Sequence, residues 1–149
     1  MAVTHKLYGN SMKNILNGNF NNLGSTASVI KVALMTSAHT YSAANEVFAD
    51  VSTNQTSTAT YGDYTAGGIT ATGKSLAYAD RVTTLKSTDD VIFCSTGTIT
   101  AYHAVVYEDL STNKYLLSSI DFDGVQSAVS GEFKVAWTDD KILTVTVAS

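Results

Sequence analysis

The chain has 149 residues, with no proline, one cysteine and a formal net charge of −4 at pH 7. Its hydrophobic share of 44% excludes an intrinsically disordered chain, and the lack of an apolar run of about 18 residues excludes a membrane-spanning helix. The nine basic residues are scattered singly, which argues against the clustered positive surface that nucleic-acid binding requires.

The composition favours strands over helices. Serine and threonine make up about a quarter of the residues, and threonine, valine, isoleucine and tyrosine all suit a pleated sheet. A chain of this length buries roughly 70% of its unfolded surface, so one domain over residues 1–149 can form a core without a disulfide or a metal. The lone Cys94 allows no intramolecular disulfide, and residues 1–6 lack a signal-peptide pattern, so we expect maturation in a reducing cytosol.

The first predicted element is a short helix within an N-terminal arm of residues 1–24. Gly18 is a plausible end for this helix. A helix of about ten residues is not stable alone, so its apolar face must dock, either over one end of the chain's own sheet or on a neighbouring subunit. The apolar side chains recur at helical spacing and share one face: Leu7, Tyr8, Met12, Ile15 and Leu16.

Residues 28–36 are β-branched and almost continuously apolar, which predicts a central, buried strand. Residues 38–68 then form one long loop, rich in serine, threonine, asparagine and alanine, with one helical turn near residues 45–51. A connection of about 30 residues is usually functional or mobile. Its aromatic residues either fix the loop to its own domain or reach a partner: Tyr41, Phe48, Tyr61 and Tyr64.

After the loop, alternating patterns predict short strands at residues 69–78, 82–85, 91–94, 98–107 and 116–122. The 98–107 pattern places five side chains on one face: Ile99, Ala101, His103, Val105 and Tyr107. Residues 132–138 and 141–147 are predicted to form a final hairpin that turns at Asp139-Asp140 and buries Trp137. Some seven or eight short strands predict an all-β fold, a single antiparallel β-sandwich or barrel-like domain.

The search for catalytic residues finds no convincing constellation. His103 lies among apolar neighbours on a strand, where a hydrogen-bonded core histidine is expected, and a Cys94/His103 nucleophile–base pair has little support. The segment around Asp121 and Asp123 resembles a fragment of a calcium loop but lacks most of the twelve-residue ligand pattern. We therefore expect no enzymatic activity, no cofactor and no metal site.

Several short segments follow one another in a specific order over nearly the whole chain. The segments are 6–9, 16–18, 30–37, 50–51, 64–68, 72–74, 98–101, 104–107, 121–122, 131–133, Trp137 and 143–145. In this order they resemble a family of small virion proteins of tailed bacteriophages. The chain departs from the family at Cys94, near which the family often carries a tryptophan, and in a lengthened serine/threonine tract at residues 52–60, which argues against a partner contact made by that loop elsewhere in the family.

The resemblance implies a structural protein of the virion, assembled in the host cytoplasm, and we expect a capsid decoration protein that binds the major capsid protein in many copies. Repeated virion parts are usually symmetric, so a homo-oligomer is expected. An alternative is a tail or head-fibre component that binds carbohydrate or the host surface, for which Tyr41, Tyr61 and Tyr64 are candidates. The candidate interface residues are Tyr8, Met12, Ile15, Tyr41, Phe48, Tyr61 and Tyr64.

Overall fold

A computed structural model describes residues 3–56, 64–110 and 112–147 and consists mainly of β-strands. In these residues the strands are β1 (Thr4–Leu7), β2 (Ile30–Met35), β3 (Ile69–Thr70), β4 (Lys74–Ala79), β5 (Val82–Ser87), β6 (Val91–Glu108), β7 (Leu116–Val135) and β8 (Lys141–Thr146). The same ranges contain the helix α1 (Gly9–Leu16) and 3₁₀ helices at Phe48–Asp50, Ser52–Asn54 and Thr138–Asp140. Over this described part, no helix is long and apolar enough to cross a membrane.

The strands form two sheets. The larger sheet has the strand order β1-β7-β6-β2-β3, and the smaller sheet has the order β4-β5-β8. The neighbouring strands in both sheets run antiparallel. The prediction of an all-β, sandwich-like antiparallel fold is confirmed.

The main hydrophobic core is formed by side chains of both sheets. The small sheet contributes Leu85 and Ile142, and β2 of the large sheet contributes Ile30, Val32 and Leu34, all 2% exposed or less. Burying a side chain of this size stabilises the fold by about 1.5–3 kcal/mol. The smaller sheet is therefore held to the larger one by apolar packing.

A second hydrophobic core includes side chains of β2 on the face opposite to Ile30, Val32 and Leu34. Ala33 and Met35 pack there with Tyr107 of β6, and the long loop adds Phe48 and Val51. Residues 30–35 are thus buried on both faces, which confirms the predicted central strand. The loop serves as the outer layer over this face of the large sheet.

β6 and β7 form one long hairpin that is interrupted by bulges. Residues 122–125 of β7 lie opposite the single Tyr102 of β6, because the flanking pairs are Ala101–Gln126 and His103–Asp121. Such an insertion shifts the alternation of side chains between the two faces. The predicted shared face along 98–107 is therefore wrong: Ile99 and Ala101 join Ala104 and Val106 in the main core, while Val105 and Tyr107 face the second core.

The predicted final hairpin is also wrong. β7 ends at Val135 and pairs with β6 and β1, whereas β8 pairs with β5 in the other sheet. The chain crosses between the sheets through the 3₁₀ helix Thr138–Asp140. Trp137 lies in this crossing segment and is only partly buried against the main core, which corrects its expected burial within a hairpin.

Residues 4–7 form an edge strand that the sequence analysis missed. β1 pairs with β7, with Leu7 opposite Ser118, so the helix begins only at Gly9. Leu16, predicted on the apolar face of the helix, is 80% exposed. Leu7 and Tyr8 fit the helical spacing of the apolar residues, but both precede the helix and have an extended backbone.

A buried carboxylate, Glu108, joins three parts of the chain at the end of β6. Its two oxygens accept hydrogen bonds from the Asn21 backbone N–H at 3.0 Å and from the Ser28 hydroxyl at 2.9 Å. The Lys74 ammonium donates to the Ser28 carbonyl. Burial raises the pKa of Glu108 and lowers the pKa of Lys74. Glu108 therefore fixes the connection between α1 and β2.

The β4–β5 hairpin ends in a two-residue turn with an unfavourable sequence. Asp80 and Arg81 have φ angles of 49° and 68°, and the flanking residues Ala79 and Val82 pair directly. A turn of this kind prefers Asn-Gly, since a side chain at positive φ costs about 1 kcal/mol. We expect the double change Asp80→Asn with Arg81→Gly to raise the free energy of unfolding by about 1–2 kcal/mol in urea titrations. Arg81→Ala keeps the strained Cβ, so an equal gain from that variant would contradict this explanation.

Candidate functional site

The aromatic residues of the long loop that the structure describes pack against the chain's own strands. Tyr64 is fully buried, and its hydroxyl accepts a hydrogen bond from the Leu34 N–H at 3.1 Å. Phe48 is buried and stacks on Tyr107, with ring centroids 4.1 Å apart. Phe48 and Tyr64 are therefore not accessible to a partner, which corrects their expected role as interface residues.

Tyr8 and Tyr41 form a second contact between the loop and the N-terminal arm. Their rings stack at 5.3 Å, and the Tyr41 hydroxyl donates to the Leu7 carbonyl at 2.6 Å. Tyr8 is 1% exposed, so its expected role in an interface is also corrected, and Tyr41 is only half-buried. Tyr61 lies outside the residues that the structure describes. Where it is described, the aromatic set fixes the loop to its own domain.

The helix α1 docks on the chain's own large sheet. The Ser11 hydroxyl donates to the carbonyls of Leu116 and Leu117 in β7, at 2.9 and 2.7 Å. Met12 and Ile15 are half-buried, and Ile15 packs against the main core. The alternative in which the helix covers one end of its own sheet is therefore supported, and the exposed parts of Met12 and Ile15 are what the helix offers to a partner.

The most exposed apolar group on the small sheet is one that the sequence analysis did not single out. Leu76, Tyr78 and Val147, which we call the apolar strip, are 56%, 70% and 62% exposed. Leu76 is paired with Leu85, whose side chain enters the main core. Directly paired residues share a face of a sheet, so the strip continues the core-facing side of the small sheet beyond the core.

The position of the apolar strip follows from how far the small sheet extends. The β4–β5 hairpin continues past Leu85 to its turn at residues 80–81, and Val147 bonds through its N–H to the Arg81 carbonyl at 2.9 Å. Isolated exposed apolar side chains are common, but several exposed apolar side chains on one sheet face indicate a contact surface. The alternation of side chains in β4 was visible in the sequence, but how far β4 extends beyond the core was not.

A cluster of histidines lies between the long loop and the large sheet. His39 is 3% exposed, its Nε2 lies 3.4 Å from the Ser119 hydroxyl, and its ring centroid is 5.3 Å from that of His103. His103 Nδ1 lies 3.4 Å from a carboxylate oxygen of Asp121, its partner across the β6–β7 pairing. These residues line a cavity of about 180 Å³. From the sequence, His39 could be placed only at the start of a loop, because the strand pairing that brings the group together is not local.

The electrostatics of this cluster do not suit acid–base catalysis. Burial, with a smaller effect from His103, lowers the pKa of His39 to about 4, so its imidazole is neutral at pH 7. Its Nδ1 is buried and has no hydrogen-bond partner among the described residues. A catalytic histidine needs an orienting acceptor and a pKa near the working pH. His39 therefore fits a role as a buried anchor of the loop better than a role as a base.

The Cys94/His103 pair considered from the sequence is not formed. Cys94 is buried opposite Phe133, with its Sγ 3.5 Å from the Gly131 carbonyl, while His103 is paired with Asp121. Both residues lie on β6 with eight residues between them, and a strand advances about 3.3 Å per residue. A nucleophile and its base must lie within hydrogen-bond distance, so the structure gives this pair no more support than the sequence did.

The acidic turns are occupied by internal contacts. Asp121 accepts the Asp123 backbone N–H at 3.0 Å within the β7 bulge, Asp89 accepts the Thr72 hydroxyl at 2.6 Å, and Asp139 pairs with Lys141 at 3.0 Å. Over residues 3–56, 64–110 and 112–147 no group of three histidine, cysteine or acidic side chains is placed to hold a metal ion. Asp121 and Asp123 thus form a turn rather than a built calcium loop.

Comparison with known proteins gives no match to this chain among family models, curated proteins or solved structures. The candidate site therefore depends on the chain's own geometry. Of the surfaces described, the apolar strip offers the largest exposed apolar side chains on one sheet face, and the histidine cluster and the loop aromatics are internal.

Proposed function

We propose that this protein is a non-enzymatic structural protein of a tailed bacteriophage virion, a capsid decoration protein that binds the major capsid protein in many copies. The ordered segments that resemble small virion proteins support the proposal. The structural observation that carries it is the apolar strip, since a surface of this kind is stabilised by contact with another protein.

The strip has the chemistry of the centre of an interface. Tyr78 provides a large apolar ring with a polar hydroxyl, and tyrosine is among the residues that dominate binding energy at such centres. Leu76 lies two residues before Tyr78 on β4, and Val147 adds exposed apolar surface beyond β5, next to the end of β8. A stable contact buries at least about 1,000 Å² in total, so residues around the strip must also take part. Several copies on one lattice would also give the expected homo-oligomeric arrangement.

The direct test is to mix purified protein with phage heads that lack decoration and to count the bound copies. Saturable binding to a fixed number of sites per head is expected. Antibody labelling of intact particles locates the protein on the head or on the tail. Absence of saturable binding to heads, or labelling of the tail alone, would overturn the proposal.

Tyr78→Ser is expected to weaken binding to heads by about 30-fold, the effect of losing about 2 kcal/mol at the centre of an interface. The side chain is 70% exposed, so the folded protein should keep its stability. Val147→Ser should weaken binding to a smaller degree. Val129→Ser is the matched control, because Val129 is 77% exposed on β7, away from the strip. An equal loss of head binding in the Val129 variant would contradict the assignment of the apolar strip as the capsid-binding surface.

The second candidate function, binding of carbohydrate on a host surface by a tail or head-fibre component, loses part of its expected support. Tyr64 is buried, and the Tyr41 hydroxyl is bonded to the Leu7 carbonyl. One observation favours it: Trp137 is partly exposed and lines a groove. Labelling of the tail together with binding to host cells would favour this candidate over capsid decoration.

A further inference from the structure

An open groove of about 900 Å³ follows β7 and the segment that crosses to the small sheet. The opposite side of the groove is formed by Val3 and by His5 of β1. Small-molecule sites are typically concave, of about 300–1,000 Å³, and combine apolar walls with a few polar groups. The size and shape of the groove are therefore those of a ligand site.

One wall of the groove is aromatic and rigid. Phe122 and Phe133 are buried and meet edge to face, with ring centroids 6.4 Å apart. Trp137 packs against the same core and is partly exposed in the groove. Because core packing holds these rings, the wall is preformed, and a ligand would not bear the entropic cost of ordering it.

The polar groups of the groove carry balanced charge. The lining holds two carboxylates and two ammonium groups: Asp139 lies 3.0 Å from Lys141, and Lys134 lies 3.6 Å from Glu132 and 2.8 Å from Asp90, which is outside the lining. Burial lowers the pKa of His5, which keeps its imidazole neutral at pH 7. A strongly charged ligand finds no excess of opposite charge here, while a ligand rich in hydroxyl groups finds both donors and acceptors.

We propose that this groove binds a neutral oligosaccharide, with the apolar face of one sugar ring on Trp137 and sugar hydroxyls bonded to the polar rim. Sugars of this class present a C–H face beside a belt of hydroxyls, which matches an aromatic wall with a charge-balanced rim. The inference rests on the carbohydrate binding of the second candidate function, and it holds whether or not the protein also attaches to the capsid through the apolar strip.

The chain contains one tryptophan, so its single indole N–H resonance reports on the groove alone. Labelled protein is first applied to a broad array of microbial and animal glycans. Hits and a fixed panel of malto-, cello- and chito-oligosaccharides are then titrated while the indole resonance is followed. A saturable shift with a dissociation constant in the millimolar range or tighter is expected, with little change between low and high salt. No neutral glycan bound on the array and no shift with the panel would overturn the proposal, as would binding that is lost at high salt.

Trp137→Phe keeps an aromatic side chain in the wall and reduces the surface on which a sugar ring rests. We expect sugar binding, measured by calorimetry, to weaken by about tenfold while the melting temperature changes little. Tyr78→Phe, outside the groove, is the matched control and should bind sugar normally. An unchanged dissociation constant in the Trp137 variant would show that the ligand binds elsewhere. Head binding is measured on the same variants, so failure of the groove proposal and failure of the capsid proposal are distinguishable.

Discussion

Glu108→Ala is expected to lower the free energy of unfolding by about 3–5 kcal/mol, a large part of the 5–15 kcal/mol typical of a domain. The change removes the acceptor for the Asn21 N–H and for the Ser28 hydroxyl, both in the connection that leads into β2. It also removes the carboxylate near the Lys74 ammonium. The Ser28 hydroxyl is buried, and a buried donor left without a partner costs about 1–3 kcal/mol, to which the loss of the charge that faces Lys74 adds.

Urea unfolding measured by far-ultraviolet circular dichroism tests this expectation. Glu108→Gln keeps the shape of the side chain but turns an amide N–H₂ toward one of the two donors, so a loss of about 1–2 kcal/mol is expected. Glu132→Ala is the matched control, because that carboxylate is half exposed and its ion pair with Lys134 is open to solvent, where such pairs contribute little to stability. If Glu108→Ala cost no more than Glu132→Ala, the carboxylate would not be holding the connection.

Acidification from pH 7 to pH 4 is expected to remove about 3 kcal/mol of stability through His39 alone. Its pKa is about 4 in the folded protein and 6.5 in an unfolded chain. Between these values the unfolded state binds more protons, so stability falls as the pH is lowered through this window. The charged and titratable groups that share its cavity are His103, Asp121, Lys6 and Tyr41, of which Asp121 favours the protonated form of His39 and His103 opposes it.

The test compares urea unfolding of the protein and of His39→Gln at pH 7, 6, 5 and 4. Glutamine does not titrate, so the difference between the two proteins isolates His39 from other groups, including Glu108, whose raised pKa acts in the opposite direction. The advantage of histidine over glutamine should shrink by about 3 kcal/mol between pH 7 and pH 4. A difference that is constant with pH would show that His39 is protonated as easily in the folded protein as in water.

The strands that were predicted best are those in which consecutive residues are apolar. Residues 30–35 are apolar on both faces, and such a run is typical of a strand covered on both sides. A strand that is apolar on both faces needs apolar side chains packed on each face. The aromatic residues of the following loop were candidates for packing on the second face. Phe48 does cover that face, which explains why an interpretation of these rings as partner contacts failed.

Features that depend on pairing could not be predicted. Strict alternation in 132–138 and 141–147 identifies which side chains share a face, but it does not identify the neighbouring strand, so two strands of different sheets looked like one hairpin. The bulge opposite Tyr102 changes the face of the large sheet on which His103 lies, and no local residue pattern predicts this bulge. The residues that line the groove around Trp137 come from β1, β7 and the segment that crosses to β8, and this arrangement depends on pairing that the sequence does not show.

The order of strands has a consequence for how the chain folds in the cell. β1 is made first but pairs only with β7, and β5 completes its sheet only with β8, near the other end of the chain. Contacts between segments far apart in the sequence slow folding. The chain loses entropy when the intervening loop closes, and this cost comes before the new contacts stabilise the structure. The ribosome must therefore synthesise the chain through residue 121 before β1 can pair fully with β7, and a nascent chain stalled before residue 116 would hold β1 without this partner strand.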